Sequence, residues 1–155
     1  MSYFHNKRVW VTGASSGIGR DVAIKLSKLG AELILTARSR DKLEEVKKEC
    51  GNAKTHIFEH DLSNLDTIDD LVSKVANQVG TIDILFNNAG ISAYSSANET
   101  NFAVYEQVMK LNFLSVVKLT KCILPQMISN KRGQIVTNTS LSGKLGSKKR
   151  SVYAS

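Results

Sequence analysis

The stretch Thr12-Gly13-Ala14-Ser15-Ser16-Gly17-Ile18-Gly19 decides the fold, because it joins an apolar run to a helical pattern. Residues 9–11 before it indicate a buried strand, and apolar side chains recur at helical spacing over residues 18–29 after it. The three glycines let the backbone approach a pyrophosphate closely, and the amino end of the following helix would hold the anion. Ser15 and Ser16 add hydroxyl donors. A glycine-rich turn without a ligand is the alternative, and the position of the loop between strand and helix disfavours it.

The rest of the chain repeats this alternation of strand and helix. Further strands are predicted at 33–35, 54–58, 82–86 and from 135 onward, and helices at 43–50, 65–79, 100–111 and 113–128. The resulting order, β-α-β-α-β-α-β-α-α-β, predicts one α/β domain over residues 1–155. Its core is a doubly wound parallel sheet of the Rossmann type, with five strands present and helices on both faces.

Composition excludes several other classes of protein. The formal net charge of +7 comes mostly from basic residues dispersed along helices; the one dense cluster is at 144–150. No aromatic residues alternate with basic ones, so nucleic-acid binding is not expected. Cys50 and Cys122 form no C-x-x-C pair and the histidines have no ligand spacing, so we expect no metal site. No apolar run approaches about 20 residues, and the first residues lack a secretory segment, so we expect a cytoplasmic protein without a transmembrane segment.

Three motifs together make the chain resemble the short-chain dehydrogenase/reductase family from Lys7 to Ser155. Residues 12–19 match its T-G-x3-G-x-G loop, and residues 87–90 match its N-N-A-G signature. Tyr153 follows Ser140 by thirteen residues, as the catalytic pair of that family does. The resemblance implies an oxidoreductase that transfers a hydride between a nicotinamide nucleotide and a small carbonyl or secondary alcohol. It also implies that the complete protein forms a homo-oligomer.

The residues after the second strand bear on the choice of cofactor. No acid occupies positions 36–38 to bind the adenosine ribose hydroxyls, as is usual for NAD. Arg38 instead offers a planar cation suited to a 2′-phosphate, which favours NADP(H), and Arg40 could share that role. Some NADP(H)-preferring members have a basic residue inside the glycine loop where this chain has Ser16, so NAD(H) stays open as the less favoured cofactor.

The resemblance also assigns cofactor contacts after the third and fourth strands. Asp61 would meet the adenine amino group and the Leu62 backbone would contribute, although Asp61 could also cap the next helix. The candidate cofactor-binding residues are Gly13, Ser15, Ser16, Gly17, Ile18, Gly19, Arg38, Asp61, Leu62, Asn88, Ala89 and Gly90.

Three residues match the catalytic set of the family. Tyr153 fits the acid/base, Ser140 the residue that orients the substrate carbonyl, and Asn112 the residue that orders a water link to a lysine. Ser142 is a weaker rival for the serine role. Taken singly, the three could be a half-buried aromatic, a turn residue and a helix cap.

The fourth residue of the set is absent from the chain. In the Y-x-x-x-K motif, the lysine would fall two positions after Ser155, and Lys148 and Lys149 do not match it. A phenol needs nearby positive charge to act as an acid or base near neutral pH. We therefore expect an incomplete copy that lacks the later strands and helices of the family. The alternative is a catalytically inactive, dinucleotide-binding or regulatory module.

Overall fold

Five parallel strands form a single sheet in the computed structural model, which describes residues 2–146 and 148–153. The strands are β1 (Arg8–Thr12), β2 (Glu32–Ala37), β3 (Thr55–Glu59), β4 (Ile84–Asn87) and β5 (Gln134–Thr137). Their order across the sheet is β3-β2-β1-β4-β5, so the chain reverses its direction of winding between β1 and β4. The predicted doubly wound parallel sheet is confirmed. Ligands of such sheets bind at the carboxyl ends of the strands beside this reversal.

Helices connect the strands at the positions that the apolar spacing predicts. They are α1 (Gly17–Lys28), α2 (Arg40–Glu49), α3 (Ile68–Val79), α4 (Phe102–Met109) and α5 (Ser115–Ser129). Side chains cap two of them: Ser39 accepts a hydrogen bond from the Lys42 amide, and Asn101 accepts one from the Ala103 amide. Leu65, which the periodicity places in the third helix, lies instead in a short 3-10 turn that precedes α3.

Alternate residues of the central strands face two separate cores. Trp10 and Ile34 pack with the inner faces of α3 and α5, whereas Val11 and Leu35 pack with α1 and α2. This alternation explains why β1 and β2 are apolar throughout, since both faces of a parallel sheet are covered. The indole of Trp10 donates a buried hydrogen bond to the hydroxyl of Thr36, at 2.9 Å. These packed faces fix the strand ends that carry the site.

The sequence pattern predicts two separate helices over 100–111 and 113–128, and this separation is wrong. The structure has one continuous helical path from Phe102 to Ser129, in which a π-helical turn (Lys110–Leu114) joins α4 to α5. No glycine or proline lies between the two predicted segments, so nothing in the backbone breaks the helix there. The π turn changes the helical phase locally, which disturbs the periodicity on which the prediction relied.

The joined helix bears on the expectation about membrane spans, which it does not contradict. Its 28 residues are long and apolar enough, by length and composition alone, to cross a membrane. Counting uninterrupted apolar residues missed this segment because its polar residues are spread among apolar ones. Its inner face supplies Leu111, Leu119, Ile123 and Met127 to the core beneath the sheet. A helix that packs in a protein core passes the same test.

β5 is the edge strand on one side of the sheet. In the part of the chain that the structure describes, β5 pairs only with β4 and has no strand on its other side. Gln134 and Thr137 are exposed, and Ile135 and Val136 are half-buried. In the described residues, this edge of the sheet is therefore unpaired.

Candidate active-site cleft

A cleft of 790 Å³ runs along the carboxyl ends of the strands, where the direction of winding reverses between β1 and β4. It brings together residues from the glycine loop, from the ends of β2 to β5, from the π turn and from the last residues described. Of the predicted site residues, all but Gly17 and Gly19 line it. Those that do are Gly13, Ser15, Ser16, Ile18, Arg38, Asp61, Leu62, Asn88, Ala89, Gly90, Asn112, Ser140 and Tyr153.

The three glycines of the loop are required for two physical reasons, lack of space and a left-handed backbone. A Cβ at Gly13 would lie 2.8 Å from the Ala89 Cα, and one at Gly19 would lie 2.3 Å from the Gly13 carbonyl oxygen. Both positions therefore exclude any larger residue. Gly17 has open space around it, but its φ of +53° is a left-handed conformation that glycine adopts without strain. Gly17 and Gly19 thus shape the loop without facing the cleft.

The amino end of α1 can bind an anion such as the pyrophosphate of a dinucleotide. Ser16 precedes the helix in an extended conformation, and its side chain makes no capping hydrogen bond. The first turn of α1 contains no acidic residue that would compete for its amide groups. Gly13, Ser15 and Ser16 line the cleft here, so backbone and hydroxyl groups would hold the pyrophosphate.

A hydrogen-bond network ties the glycine loop to the N-N-A-G turn. The Thr12 hydroxyl accepts hydrogen bonds from the backbone amides of Asn88 and Ala89, at 2.9 and 3.0 Å. The Asn88 side chain donates to the Thr12 and Gly13 carbonyls, at 3.1 and 3.4 Å. Asn138, at the end of β5, donates to the Asn88 Oδ1 at 3.0 Å. The network joins the ends of β1, β4 and β5, so it holds the floor of the cleft in one arrangement.

Sequence reasoning missed both Thr12 and Asn138 as members of this network. Thr12 is almost fully buried and Asn138 is exposed, so burial patterns give no common signal for them. Their shared signal is positional, since each is a polar residue at the carboxyl end of a strand that borders the cleft.

The π turn presents Asn112 to the residues after β4. Its side-chain amide donates to the Ile91 carbonyl and accepts from the Ile91 amide, both at 2.9 Å. This paired contact satisfies both backbone polar groups of Ile91 and fixes the chain just beyond Gly90. Asn112 is therefore not a helix cap, because it lies inside the helical path and its side chain bonds to the neighbouring loop.

Arg38 and Asp61 follow neighbouring strands at the far end of the cleft. Burial would raise the pKa of the Asp61 carboxyl, but hydrogen bonds from the Ser63 amide and hydroxyl and the nearby charge of Arg38 keep that pKa below its ordinary value. The bonds measure 2.9 and 2.7 Å. Asp61 is thus an ionised turn residue that also lines the cleft.

His60 lines the same end and was not predicted as a site residue. Its ring nitrogen lies 3.1 Å from the Thr67 hydroxyl, and burial lowers its pKa, so the imidazole is neutral near neutral pH. The sequence feature that could have indicated His60 as a site residue is its position after β3, directly before Asp61.

Ser140 and Tyr153 close the other end of the cleft. Ser140 caps a short 3-10 turn (Leu141–Gly143), where its hydroxyl accepts from the Ser142 amide at 3.1 Å. Ser140 lines the cleft, whereas Ser142 is not among the lining residues. Tyr153 is half-buried, and the guanidinium of Arg150 lies 5.7 Å from its ring centroid. The two side chains that the family pattern pairs thus border the same cavity.

No metal centre is found among residues 2–146 and 148–153, where no group of three or more His, Cys, Asp or Glu side chains could hold an ion. Cys50 and Cys122 are both free thiols. Burial raises the pKa of each thiol. Neither cysteine therefore has the thiolate character that a reactive cysteine needs.

Comparison with known proteins identifies the class that the fold and the cleft define. The family described as short chain dehydrogenase matches residues 7–155, and the chain belongs to this family of oxidoreductases. Within it, the chain is 45% identical over 141 residues to dehydrogenase/reductase SDR family member 7 from Mus musculus, a match that covers 87% of this chain and 42% of that protein. The chain thus spans about half the length, or less, of curated relatives of this kind.

Solved structures share the fold closely. A metagenomic short-chain oxidoreductase crystallised with NADP superposes with a TM-score of 0.94 at 33% identity, over 99% of this chain and 71% of that one. A xylitol dehydrogenase with bound NAD+ gives a TM-score of 0.93 at 26% identity, over 99% of this chain and 60% of that one. Among these two solved structures, the shared fold thus holds NADP in one protein and NAD+ in the other.

Proposed function

We propose that the protein to which this chain belongs transfers a hydride between NADP(H) and a small carbonyl or secondary-alcohol substrate. One observation carries the proposal: a single cleft joins the glycine loop at one end to Ser140 and Tyr153 at the other. A nucleotide held at the loop and a substrate held at the hydroxyl pair would share that cavity. Membership of an oxidoreductase family supports the same reaction class.

The roles of the side chains follow from their chemistry. A bound nicotinamide would supply or accept the hydride with its two electrons. In the reductive direction, Ser140 would donate a hydrogen bond to the carbonyl oxygen and polarise the bond. The Tyr153 hydroxyl would give that oxygen the proton that completes the alcohol, and it would take the proton back in the reverse reaction. Asn112 would keep the wall of the cleft in place through its paired bonds to Ile91.

Arg38 supports the preference for NADP(H). It is exposed, it lines the cleft directly after β2, and positions 36–38 contain no acid. Asp61 is the acidic residue that lines this end, and its Oδ1 is engaged by Ser63. A guanidinium can bind a 2′-phosphate through parallel hydrogen bonds.

Substitution of Arg38 tests the choice of cofactor. In Arg38→Ala, we expect the dissociation constant for NADPH to rise about tenfold or more, because a charge-assisted contact is lost. The constant for NADH should change by less than about threefold. Arg132→Ala is the matched control, since Arg132 lies before β5 at the amino edge of the sheet and forms an ion pair with Asp83 at 2.8 Å. Equal losses for the two nucleotides would contradict the assignment.

An apolar stripe along the joined helix supports self-association of the complete protein. Val117, Leu124 and Ile128 are exposed and recur along one side of the helix, which continues toward Met109 and Phe113, two exposed residues that also line the cleft. Large exposed apolar patches often mark interaction surfaces. Light scattering of wild-type protein and of Ile128→Glu measures this directly: a lower mass for the variant would support the proposal, and a monomeric wild type would refute it. The cytoplasmic location stays a prediction.

A further inference from the structure

Two segments meet beside Tyr153 and place a guanidinium at the reacting end of the cleft. The Arg150 Cζ lies 5.9 Å from the ring centroid of Tyr94 and 5.7 Å from that of Tyr153. Its Nη1 donates to the Ser92 hydroxyl at 3.4 Å, and its backbone forms an isolated bridge with Ser95. Since Ser92 and Tyr153 line the cleft, the Arg150 cation is held directly next to the residues that would surround a substrate.

A second cation shares the same aromatic ring. The Lys149 Nζ lies 5.9 Å from the centroid of Tyr94, so two positive groups lie against one side chain. Lys149 has a φ of +61°, a left-handed conformation that residues with a side chain rarely adopt. Residues held in such conformations often cluster at ligand sites. The backbone here accepts strain in a turn that keeps Lys149 and Arg150 together.

Neither cation is neutralised within the described part of the chain. Among residues 2–146 and 148–153, no carboxylate lies within 4.0 Å of Lys149 or Arg150, although most other arginines there are paired: Arg8, Arg20, Arg40 and Arg132. Like charges that are close together repel each other, and a bound anion would relieve that repulsion. Because Arg150 is half-buried, water surrounds only part of its guanidinium and screens its charge incompletely.

We propose that Arg150, assisted by Lys149, binds an oxyanionic group of the substrate, so that the preferred substrates are carbonyl compounds or alcohols bearing a carboxylate or phosphate. The proposal rests on the proposed function, since it assumes that the carbonyl lies at Ser140 and Tyr153. The planar guanidinium matches the two oxygens of a carboxylate or phosphate. Arg150 contacts Ser92 and Tyr153, which line the cleft, whereas Arg38 lines it directly after β2, so the two cations would serve different ligands.

An aldehyde that carries a carboxylate and its uncharged methyl ester provide the test. The complete protein, with saturating NADP+ that cannot donate a hydride, is titrated calorimetrically with 4-formylbenzoate and with its methyl ester. We expect the acid to bind about tenfold more tightly than the ester, as a charge-assisted hydrogen bond predicts. In Arg150→Gln this ratio should fall close to one. Raising the salt concentration should also lower it.

Two variants sharpen the result. Arg150→Lys keeps the charge without the planar fork and should retain part of the ratio. Lys28→Gln removes a charge at the far end of α1 and should leave the ratio unchanged, which excludes a general effect of net charge. A wild-type ratio near one, or an equal weakening of both ligands in Arg150→Gln, would overturn the proposal.

Turnover measured in parallel separates this proposal from the proposed function. Preferential binding of the acid without NADPH-dependent reduction of either aldehyde would support the anion site and refute the oxidoreductase reaction. Reduction of both aldehydes with equal kcat/KM would support the reaction and refute the anion site.

Discussion

The side-chain amide of Asn138 donates a hydrogen bond to the Oδ1 of Asn88, with a nitrogen–oxygen distance of 3.0 Å. This contact orients the Asn88 amide, because its oxygen then faces β5 and its nitrogen faces the Thr12 and Gly13 carbonyls. Asn138 follows β5 and precedes Ser140 by two residues, so the contact connects this part of the chain to the glycine loop. One asparagine pair couples the two ends of the cleft.

Asn138→Asp should reverse this orientation. A carboxylate cannot donate to the Asn88 oxygen, so the Asn88 amide would have to turn its oxygen toward the Thr12 and Gly13 carbonyls or lose its bonds. We expect nucleotide affinity to fall by about five- to tenfold, in line with the loss of about one hydrogen bond. Titration calorimetry with NADPH measures it. Asn52→Asp, in the exposed turn after α2, adds the same charge elsewhere, and an equal loss there would contradict the account.

The glycines of the loop should respond differently to a single added methyl group. In Gly19→Ala the new Cβ would lie 2.3 Å from the Gly13 carbonyl oxygen, so the loop must move and nucleotide binding should be lost. In Gly17→Ala there is space, and the cost is the left-handed backbone, about 1 kcal/mol of unfolding free energy. Gly146→Ala, which meets nothing within 4 Å, is the control. Calorimetry and urea unfolding of all three variants check this; full binding by Gly19→Ala would contradict it.

Glu32 should make folding stability depend on pH. Burial acts to raise the pKa of its carboxyl, but hydrogen bonds from Lys54 and His56, each 2.8 Å, lower it below the ordinary value of 4.5. A depressed folded-state pKa stabilises the protein above the unfolded-state value, and this stabilisation is lost as the pH falls through the folded-state pKa. Glu32→Gln should therefore cost about 1 kcal/mol at pH 7.

Urea unfolding at several pH values measures this cost. The difference between wild type and Glu32→Gln should shrink as the pH falls below 4.5. Glu106→Gln, an exposed change on α4, should show no such trend. A difference that stays constant down to acid pH would show that the ion cluster at the start of β2 does not stabilise the fold.

Most of the fold could be predicted because the apolar runs and the glycines at helix ends indicate the same elements. Apolar runs such as 33–35 mark strands covered on both faces, and glycines such as Gly80, whose φ is +87° at the end of α3, mark helix ends. The junction of α4 and α5 could not be predicted, because the π turn contains no glycine or proline that would mark it. It changes only the spacing at which apolar residues recur.

The site could be predicted wherever a short motif fixes the backbone. The glycine loop, the N-N-A-G turn and the spacing of Ser140 and Tyr153 all belong to this kind. The contact of Asn138 with Asn88, and the position of Arg150 beside Tyr94 and Ser92, could not be predicted, because they depend on how distant loops meet rather than on local spacing. Contacts of that kind depend on the assembled sheet, so no single stretch of sequence encodes them.

The proposed function requires a hydride-transfer site for NADP(H) in which Tyr153 is the acid/base. The most direct measurement follows deuterium from the C4 position of NADPH to the alcohol product of the complete protein by mass spectrometry, with each of the two C4 deuterated isomers in turn. The account predicts an alcohol one mass unit heavier from one isomer only, and no labelled product from Tyr153→Phe. Unlabelled alcohol from both isomers, or labelled product from Tyr153→Phe at the wild-type rate, would contradict it.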